Sequence, residues 1–270
     1  MIYVNSHLEY KGKVAYLSLN RAEKYNALTQ AMWQAIADAC DTLAQERSIR
    51  VLVLKAEGQK AFCAGADIQE LHDMLANPDA FSASNHIVQE AQQKLAALPF
   101  ATIAQINGVC VGGGMGLAMC CDFRIAVEEA SFAITPAKLG LLYSLADTQR
   151  LVNLVGLPRA KELLYLGKKI DTHTALDWEL LSQVVERAHL SEATDALVKQ
   201  ILGVSGYSVS GTKRALAYLC DMPNNEALDN KAALQQLFDD AFHGVDFKEG
   251  AAAFTQSAQR GLINDRYTLR

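Results

Sequence analysis

The chain has 270 residues, half of them hydrophobic, which is enough for one substantial core or a core with an appendage. A formal charge of −5 without a basic stripe argues against a nucleic-acid partner. Six cysteines with no C-x-x-C pair argue against a disulfide framework or a zinc site, and fit a reducing compartment. The first twenty residues read as two short strands turning at Lys11-Gly12, the second over 14–19, rather than as a signal peptide. Leu28 to Leu43 predicts an amphipathic helix with Thr29 near its start, and Ile49 to Leu54 a buried parallel strand. Helices follow from Ile68 into the mid-70s and from Ser84 to Leu98, on either side of Pro78. Ala101 to Ile106 reads as a buried strand, then come a glycine turn, a helix-like stretch from Met115 to Cys121, and a strand around Phe123 to Val127. The stretch from Phe100 to Cys121 is uncharged, but its five glycines with Gln105 and Asn107 favour a buried strand-loop-helix over a membrane span. This alternation argues an α/β fold in a soluble, cytoplasmic protein. From about Ser191 the strands stop, and helical patterns at 191–203, 208–221, 225–243 and 247–260 mark a separate part, with Gly203 to Gly211 as a hinge.

Two segments carry the chemistry: AFCAGADIQE at 61–70 and NGVCVGGGMG at 107–116. Both put small residues where a backbone comes close to something else. A strand, a glycine turn and a helix start leave N–H groups unpaired and aimed at one spot, a place for negative charge. A P-loop is excluded, because Met115 and Gly116 stand where Lys and Ser or Thr are needed. The dinucleotide fingerprint fails at Leu117. Two readings remain open at this point: an oxyanion hole, or a glycine-packed strand-to-helix turn.

Seven segments in order resemble the crotonase superfamily, the enoyl-CoA hydratase/isomerase family. Asn20 to Leu28 is similar to its N-R-P-x-x-x-N-A-L opening, Ala61 to Ile68 to its F-x-A-G-A-D-I loop, and Asn107-Gly108 with Gly112 to Gly114 to N-G-x-x-x-G-G-G. Asp122 to Ala126, Leu139-Gly140, Thr148 to Leu151 and Ala175-Leu176 fall in register. The resemblance implies a spiral of β-β-α units over 1–195 holding the acyl-CoA site, and a helical region over 196–270 that assembles a homotrimer or a dimer of trimers. It implies an acyl-CoA substrate, with coenzyme A as part of it and no tightly bound cofactor or metal. The thioester carbonyl would accept hydrogen bonds from the amides of Ala66 and Gly113, which stabilise an enolate. Ala64, Asp67, Ile68 and Gln69 would line the CoA and acyl entrance, and Lys24 would meet a CoA phosphate.

The chain departs from the family where hydratases carry two glutamates, since Gly116 and Pro136 occupy those positions. Neither moves a proton, so the expectation is a lyase or isomerase acting on acyl-CoA thioesters that is not an efficient hydratase. Tyr143, Ser144 and Asp147 are the candidate replacements. The run from Phe132 to Tyr143 resembles the methylmalonyl-CoA decarboxylase branch, which makes a decarboxylating lyase one alternative. A non-catalytic CoA-thioester-binding protein is another, and a hydrolase using Ser144 or Asp147 a third. Asp147 and Ser144 also fit a helix cap. His86, Glu70 and His72 read equally as solvated helix faces, Asp122 as a cap, and Cys63 as an unactivated thiol. In the C-terminal segment Glu249 to Phe254 resembles a family helix that reaches a neighbouring subunit, and Gln256 to Ala258 replace the E-K-R cluster that follows it in the family, leaving Arg260 to supply positive charge there.

Overall fold

The computed structural model describes residues 1–3, 5–75 and 78–220, with Ala233, Gln236, Asp240, Val245 and Glu249 beyond them. The chain divides into two compact units, Met1–Gly203 and Val204–Arg270. The first begins with an antiparallel meander of β1 (Ile2–Tyr3), β2 (Ser6–Lys11) and β3 (Val14–Leu19). Helix α1 (Gln30–Gln45) follows, and its Thr29 cap accepts the Met32 N–H at 3.2 Å. Met32, Ile36, Ala39 and Leu43 recur at helical spacing and are buried, so one stripe of α1 joins the core.

The chain then takes the same path three times: a strand in a large sheet, a short strand in a small sheet, then helix. The first pass is β4 (Val51–Ala56), β5 (Ala61–Cys63), α2 (Ile68–Leu75) and α3 (Pro78–Ala96). The second is β6 (Ala101–Ile106), β7 (Val109–Val111) and α4 (Gly113–Cys120). The third is β8 (Phe123–Val127), β9 (Ser131–Ala133) and α5 (Leu145–Leu166), which is broken at Gly156. Then come β10 (Lys169–Asp171), α6 (Thr172–Asp177), β11 (Gln183–Val185) and α7 (Leu190–Leu202). The large sheet runs β1-β2-β3-β4-β6-β8-β11 and is parallel from β3 onward. The small sheet runs β10-β9-β7-β5 and is parallel apart from β10. The fold is thus α/β, with strands β4 and β6 apolar on both faces because helices and the small sheet cover them.

Two asparagines hold the corners between the sheets. Asn107 donates from Nδ2 to the carbonyls of Ala56 (3.0 Å) and Gly58 (2.7 Å), and Asn26 to those of Glu57 (3.0 Å) and Ala61 (2.9 Å). A side chain on Gly108 would run into the Lys60 carbonyl, so the corner admits only glycine. These corners deliver β5 and β7 side by side. Helix α4 is apolar all round and is buried from Gly114 to Cys120. The glycine turn expected between Ile106 and Met115 holds a strand of its own, β7, and α4 starts two residues earlier, at Gly113. The second unit contributes α8 (Gly206–Cys220), which begins inside the stretch read as a hinge. Apart from the five isolated positions, the expected helices at 225–243 and 247–260 and the segment through Phe254 to Arg260 lie outside the described residues. Among the described residues no helix is long and apolar enough to cross a membrane.

Candidate functional site

Because β5 and β7 are parallel neighbours, the loops at their C-terminal ends emerge on the same side. One loop runs through Ala64, Gly65, Ala66 and Asp67 into α2, the other through Gly112 into α4. They touch: a Cβ on Gly65 would lie 3.8 Å from the Gly113 nitrogen, and one on Gly112 3.6 Å from the Gly65 Cα. Gly65 has φ +100° and Gly112 +51°, conformations that side chains resist and glycine adopts freely.

Hydrogen bonding fixes where the amides point. The Leu28 N–H donates to the Gly65 carbonyl at 2.7 Å, and the Asp67 N–H donates to the Leu28 carbonyl at 2.9 Å. That bridge uses the groups flanking Ala66, so the N–H of Ala66 itself faces away from Leu28. Gly113 is the first residue of α4, and its N–H has no partner within the helix. No described backbone acceptor takes either amide. Both residues line a cavity of about 620 Å³, within the range of small-molecule sites.

Tyr143, Ser144 and Asp147 complete the wall from the segment that enters α5. The Tyr143 hydroxyl donates to the Gly112 carbonyl at 3.1 Å. Loss of water around the phenol, with the negative Asp147 nearby, holds its pKa well above the ordinary tyrosine value. Ser144 caps α5: its Oγ accepts the Asp147 N–H at 3.0 Å and donates to Asp147 Oδ2 at 2.9 Å. The buried Asp147 also accepts from Arg150 Nη1 at 3.1 Å through Oδ1.

The entrance residues divide. Ala64, Asp67 and Ile68 stand in the same wall. Asp67 is committed to structure there, because it accepts from Arg21 Nη1 at 2.6 Å and from the Gln69 and Glu70 amides at 3.0 and 3.1 Å. The Arg21 hydrogen bond is the main reason its carboxyl titrates below the ordinary range. Gln69 turns its amide to Asp73 at 3.0 Å, and Lys24 is exposed at the end of the turn Ala22–Lys24; neither lines the cavity. His86 is exposed on α3 and is not in the wall. Glu70 is in it, and its Oε2 accepts the Gln30 N–H at 2.8 Å at the start of α1. The His72 side chain lies outside the described residues. Asp122 accepts from the Thr102 N–H at 2.8 Å and Oγ1 at 2.9 Å, tying β8 to β6. Burial pushes the Cys63 thiol up to about 12, so it is no nucleophile at neutral pH.

Two wall residues escaped the sequence reading. Trp33 on α1 packs so closely that a Cβ on Gly113 would meet its Cζ2 at 3.1 Å. Gln92 on α3 is buried, and its Oε1 has no hydrogen-bond partner. Its Nε2 occupies the place where a side chain on Gly116 would go. The available signal was positional: Val88, Ala91 and Leu95 form an inward stripe, and Gln92 falls on it as the one polar member.

The Enoyl-CoA hydratase/isomerase family model matches residues 9–260. The chain is 32% identical to the crotonyl-CoA hydratase of Syntrophomonas wolfei over 265 residues, 98% of this chain and 100% of that protein. It is 30% identical to the short-chain-enoyl-CoA hydratase of Clostridium acetobutylicum over 254 residues, 93% of this chain and 95% of that one. The crystal structure of the enoyl-CoA hydratase from Bacillus anthracis superposes with a TM-score of 0.86 at 31% identity, covering 94% of this chain and 97% of that one. Two glycine loops opening on one cavity, in a chain matched from end to end by these proteins, leave one assignment: it belongs to the enoyl-CoA hydratase/isomerase family, with the crotonase fold.

Proposed function

We propose that the protein is an acyl-CoA enzyme that stabilises a thioester enolate with the amides of Ala66 and Gly113 and moves the α-proton with the polar groups at the start of α5. The observation that supports this is the pair of amides from adjacent loops that no described backbone acceptor takes, on two residues that line one cavity. An enolate oxygen gains more from two fixed N–H donors than the neutral carbonyl does, and that difference lowers the barrier. Asp147 is the carboxylate of the group, and it keeps acceptor capacity because Ser144 and Arg150 use only part of it. Gly116 and Pro136 offer no acid or base, so water addition by a glutamate pair is not the route. Coenzyme A is part of the substrate, and no resident cofactor is needed for proton transfer at the α-carbon. The region 196–270 serves assembly into a trimer or a dimer of trimers, in the cytoplasm.

A second reading, a decarboxylating lyase, draws support from Tyr143 in the wall, because losing CO₂ generates the enolate without a base. One experiment separates the two. Butyryl-, crotonyl- and methylmalonyl-CoA are incubated with the protein in heavy water, and products are read by mass spectrometry. Deuterium uptake at the α-carbon of butyryl-CoA is the expected result. Loss of CO₂ from methylmalonyl-CoA favours the lyase. Binding of all three without exchange or turnover overturns both and leaves a CoA-thioester-binding protein.

A further inference from the structure

The last residue of β5, Cys63, is fully buried and touches both loops that open on the cavity. Its Sγ accepts the Gly65 N–H at 3.4 Å and donates to the Gly65 carbonyl at 3.7 Å. With its pKa pushed up to about 12 by burial, the thiol is protonated at neutral pH and has a proton to donate. Sulfur hydrogen bonds are weak one at a time, but both of these act on a single glycine held at φ +100°. The same Gly65 carbonyl takes the Leu28 N–H at 2.7 Å. That carbonyl shares a planar peptide unit with the Ala66 N–H, so whatever holds the oxygen aims the amide.

On its other side Cys63 meets the first turn of α4. A Cβ on Gly114 would lie 2.7 Å from both the Cβ and the carbonyl oxygen of Cys63, and 3.1 Å from its Sγ, closer than side-chain atoms pack. Gly114 directly follows Gly113, whose amide opens the helix. The contact between Cys63 and Gly114 therefore sets how near the start of α4 comes to the Ala66 loop. The distance between the two N–H groups follows from it.

We propose that Cys63 is a positioning residue that keeps the Ala66 and Gly113 amides aimed at one oxygen atom, through its hydrogen bonds to Gly65 and its contact with Gly114. This rests on the proposed function, in which those two amides receive the thioester oxygen. Cys63 is not among the residues that line the cavity, so it acts through the two loops and not on the substrate. Two donors stabilise a developing charge only when both are already pointed at the same atom, which makes the side chain behind them as consequential as the donors' own identity. A methyl group at position 63 still packs against Gly114 but releases Gly65. A hydroxyl group keeps a donor and an acceptor there.

The test reads the donors directly, from the infrared stretch of the carbonyl of bound butyryl-CoA, isotope-labelled at that carbon, together with the kinetics of its α-deuterium exchange. In the wild-type protein the stretch is expected to fall below that of the free thioester, because two N–H donors polarise the carbonyl. In Cys63→Ala the stretch should move back toward the free value. Its kcat for exchange should drop about 3- to 10-fold with little change in KM, the worth of a weak hydrogen bond lost behind the site. Cys63→Ser should stand nearer to wild type than Cys63→Ala in both measurements. Thermal unfolding of each variant reports stability separately. A Cys63→Ala protein that melts earlier yet keeps the wild-type stretch and kcat would overturn the proposal, since Cys63 would then serve packing alone. Equal impairment of the serine and alanine variants would also overturn it. An unshifted carbonyl in the wild-type complex would instead overturn the oxyanion reading itself.

Discussion

The Tyr143 hydroxyl donates to the carbonyl oxygen of Gly112, and that carbonyl belongs to the same peptide unit as the Gly113 N–H. Its carbonyl and amide point in opposite directions, so a hydrogen bond on one side fixes the aim of the other. The Gly116 N–H also reaches the Gly112 oxygen at 3.1 Å, which pins the unit from the helix side. On the proposed function, Tyr143 is a positioning residue for the Gly113 donor. Tyr143→Phe should lower kcat about 5-fold with little change in KM, because about 1 kcal/mol of hydrogen bonding is lost behind the site rather than at the substrate. The phenol's raised pKa adds a sign. The proton is held more tightly in the folded protein, so the bond persists through pH 10 and fails only above it. A wild-type kcat that falls with an alkaline midpoint below 10, and does so only when Tyr143 is present, would contradict this.

Of the two amides in the proposed function, that of Gly113 can be tested most directly. A Cβ there meets Trp33 at 3.1 Å and the Leu28 Cδ1 at 3.5 Å, so alanine needs a small shift and valine a large one. Gly113→Val should reduce turnover by about 100- to 1000-fold, the usual cost of one oxyanion donor. Circular dichroism and thermal unfolding report whether the fold survives. Turnover within 3-fold of wild type in a folded Gly113→Val protein would remove Gly113 from the mechanism.

Arg21 and Asp67 lock the entrance loop to the segment before α1. Arg21 Nη1 also donates to the Ala27 carbonyl at 3.1 Å, so the guanidinium joins three parts of the chain. Asp67→Asn should cost about 2 kcal/mol in urea unfolding at pH 7, a typical value for a charge-assisted hydrogen bond. The sign with pH follows from the depressed carboxyl. Its contribution is fully present above the unfolded value near 3.9, and it is lost as pH falls through the lower folded value. The gap between wild type and variant should therefore close below pH 4. A gap that stays constant from pH 7 to pH 3 would show that the charge is not what stabilises.

Much of this architecture is legible in the sequence. Strands β6 and β8 coincide with the apolar runs at 101–106 and 123–127, because a buried parallel strand leaves a continuous apolar signature. The two small-residue loops also announce themselves, since Gly65 and Gly112 need a conformation that few other residues take. The small sheet is not legible. Strands β5, β7, β9 and β10 have three residues each, too few to show alternation, and they form only because their neighbours are present. Gln92 and Trp33 were hard to read for a related reason. A polar or aromatic residue on an amphipathic helix acquires meaning only when folding places Gly116 or Gly113 against it.

The far end of α4 offers the last prediction, because the helix that presents Gly113 at its start is held at its finish by one cation. Arg124 is 5% exposed and donates from Nη1 to the Cys121 carbonyl at 2.6 Å and from Nε to the Leu180 carbonyl at 2.7 Å. A longer Nη1 contact of 3.4 Å reaches the Ala118 carbonyl. The carbonyls of a helix's last turn lack partners within the helix and carry partial negative charge, so the guanidinium satisfies and attracts them together. Burial lowers its pKa, yet arginine starts high enough to stay charged. Arg124→Met removes the guanidinium donor from the Cys121 and Leu180 carbonyls, and should cost about 3 kcal/mol or more in urea unfolding. Arg124→Lys should also destabilise, since an ammonium cannot span both Cys121 and Leu180 as the planar fork does. Turnover per folded molecule at low temperature should fall less than stability, because the Gly113 amide is set locally by Gly112 and Tyr143. A lysine variant as stable as wild type would mean that charge alone, without the fork, secures α4.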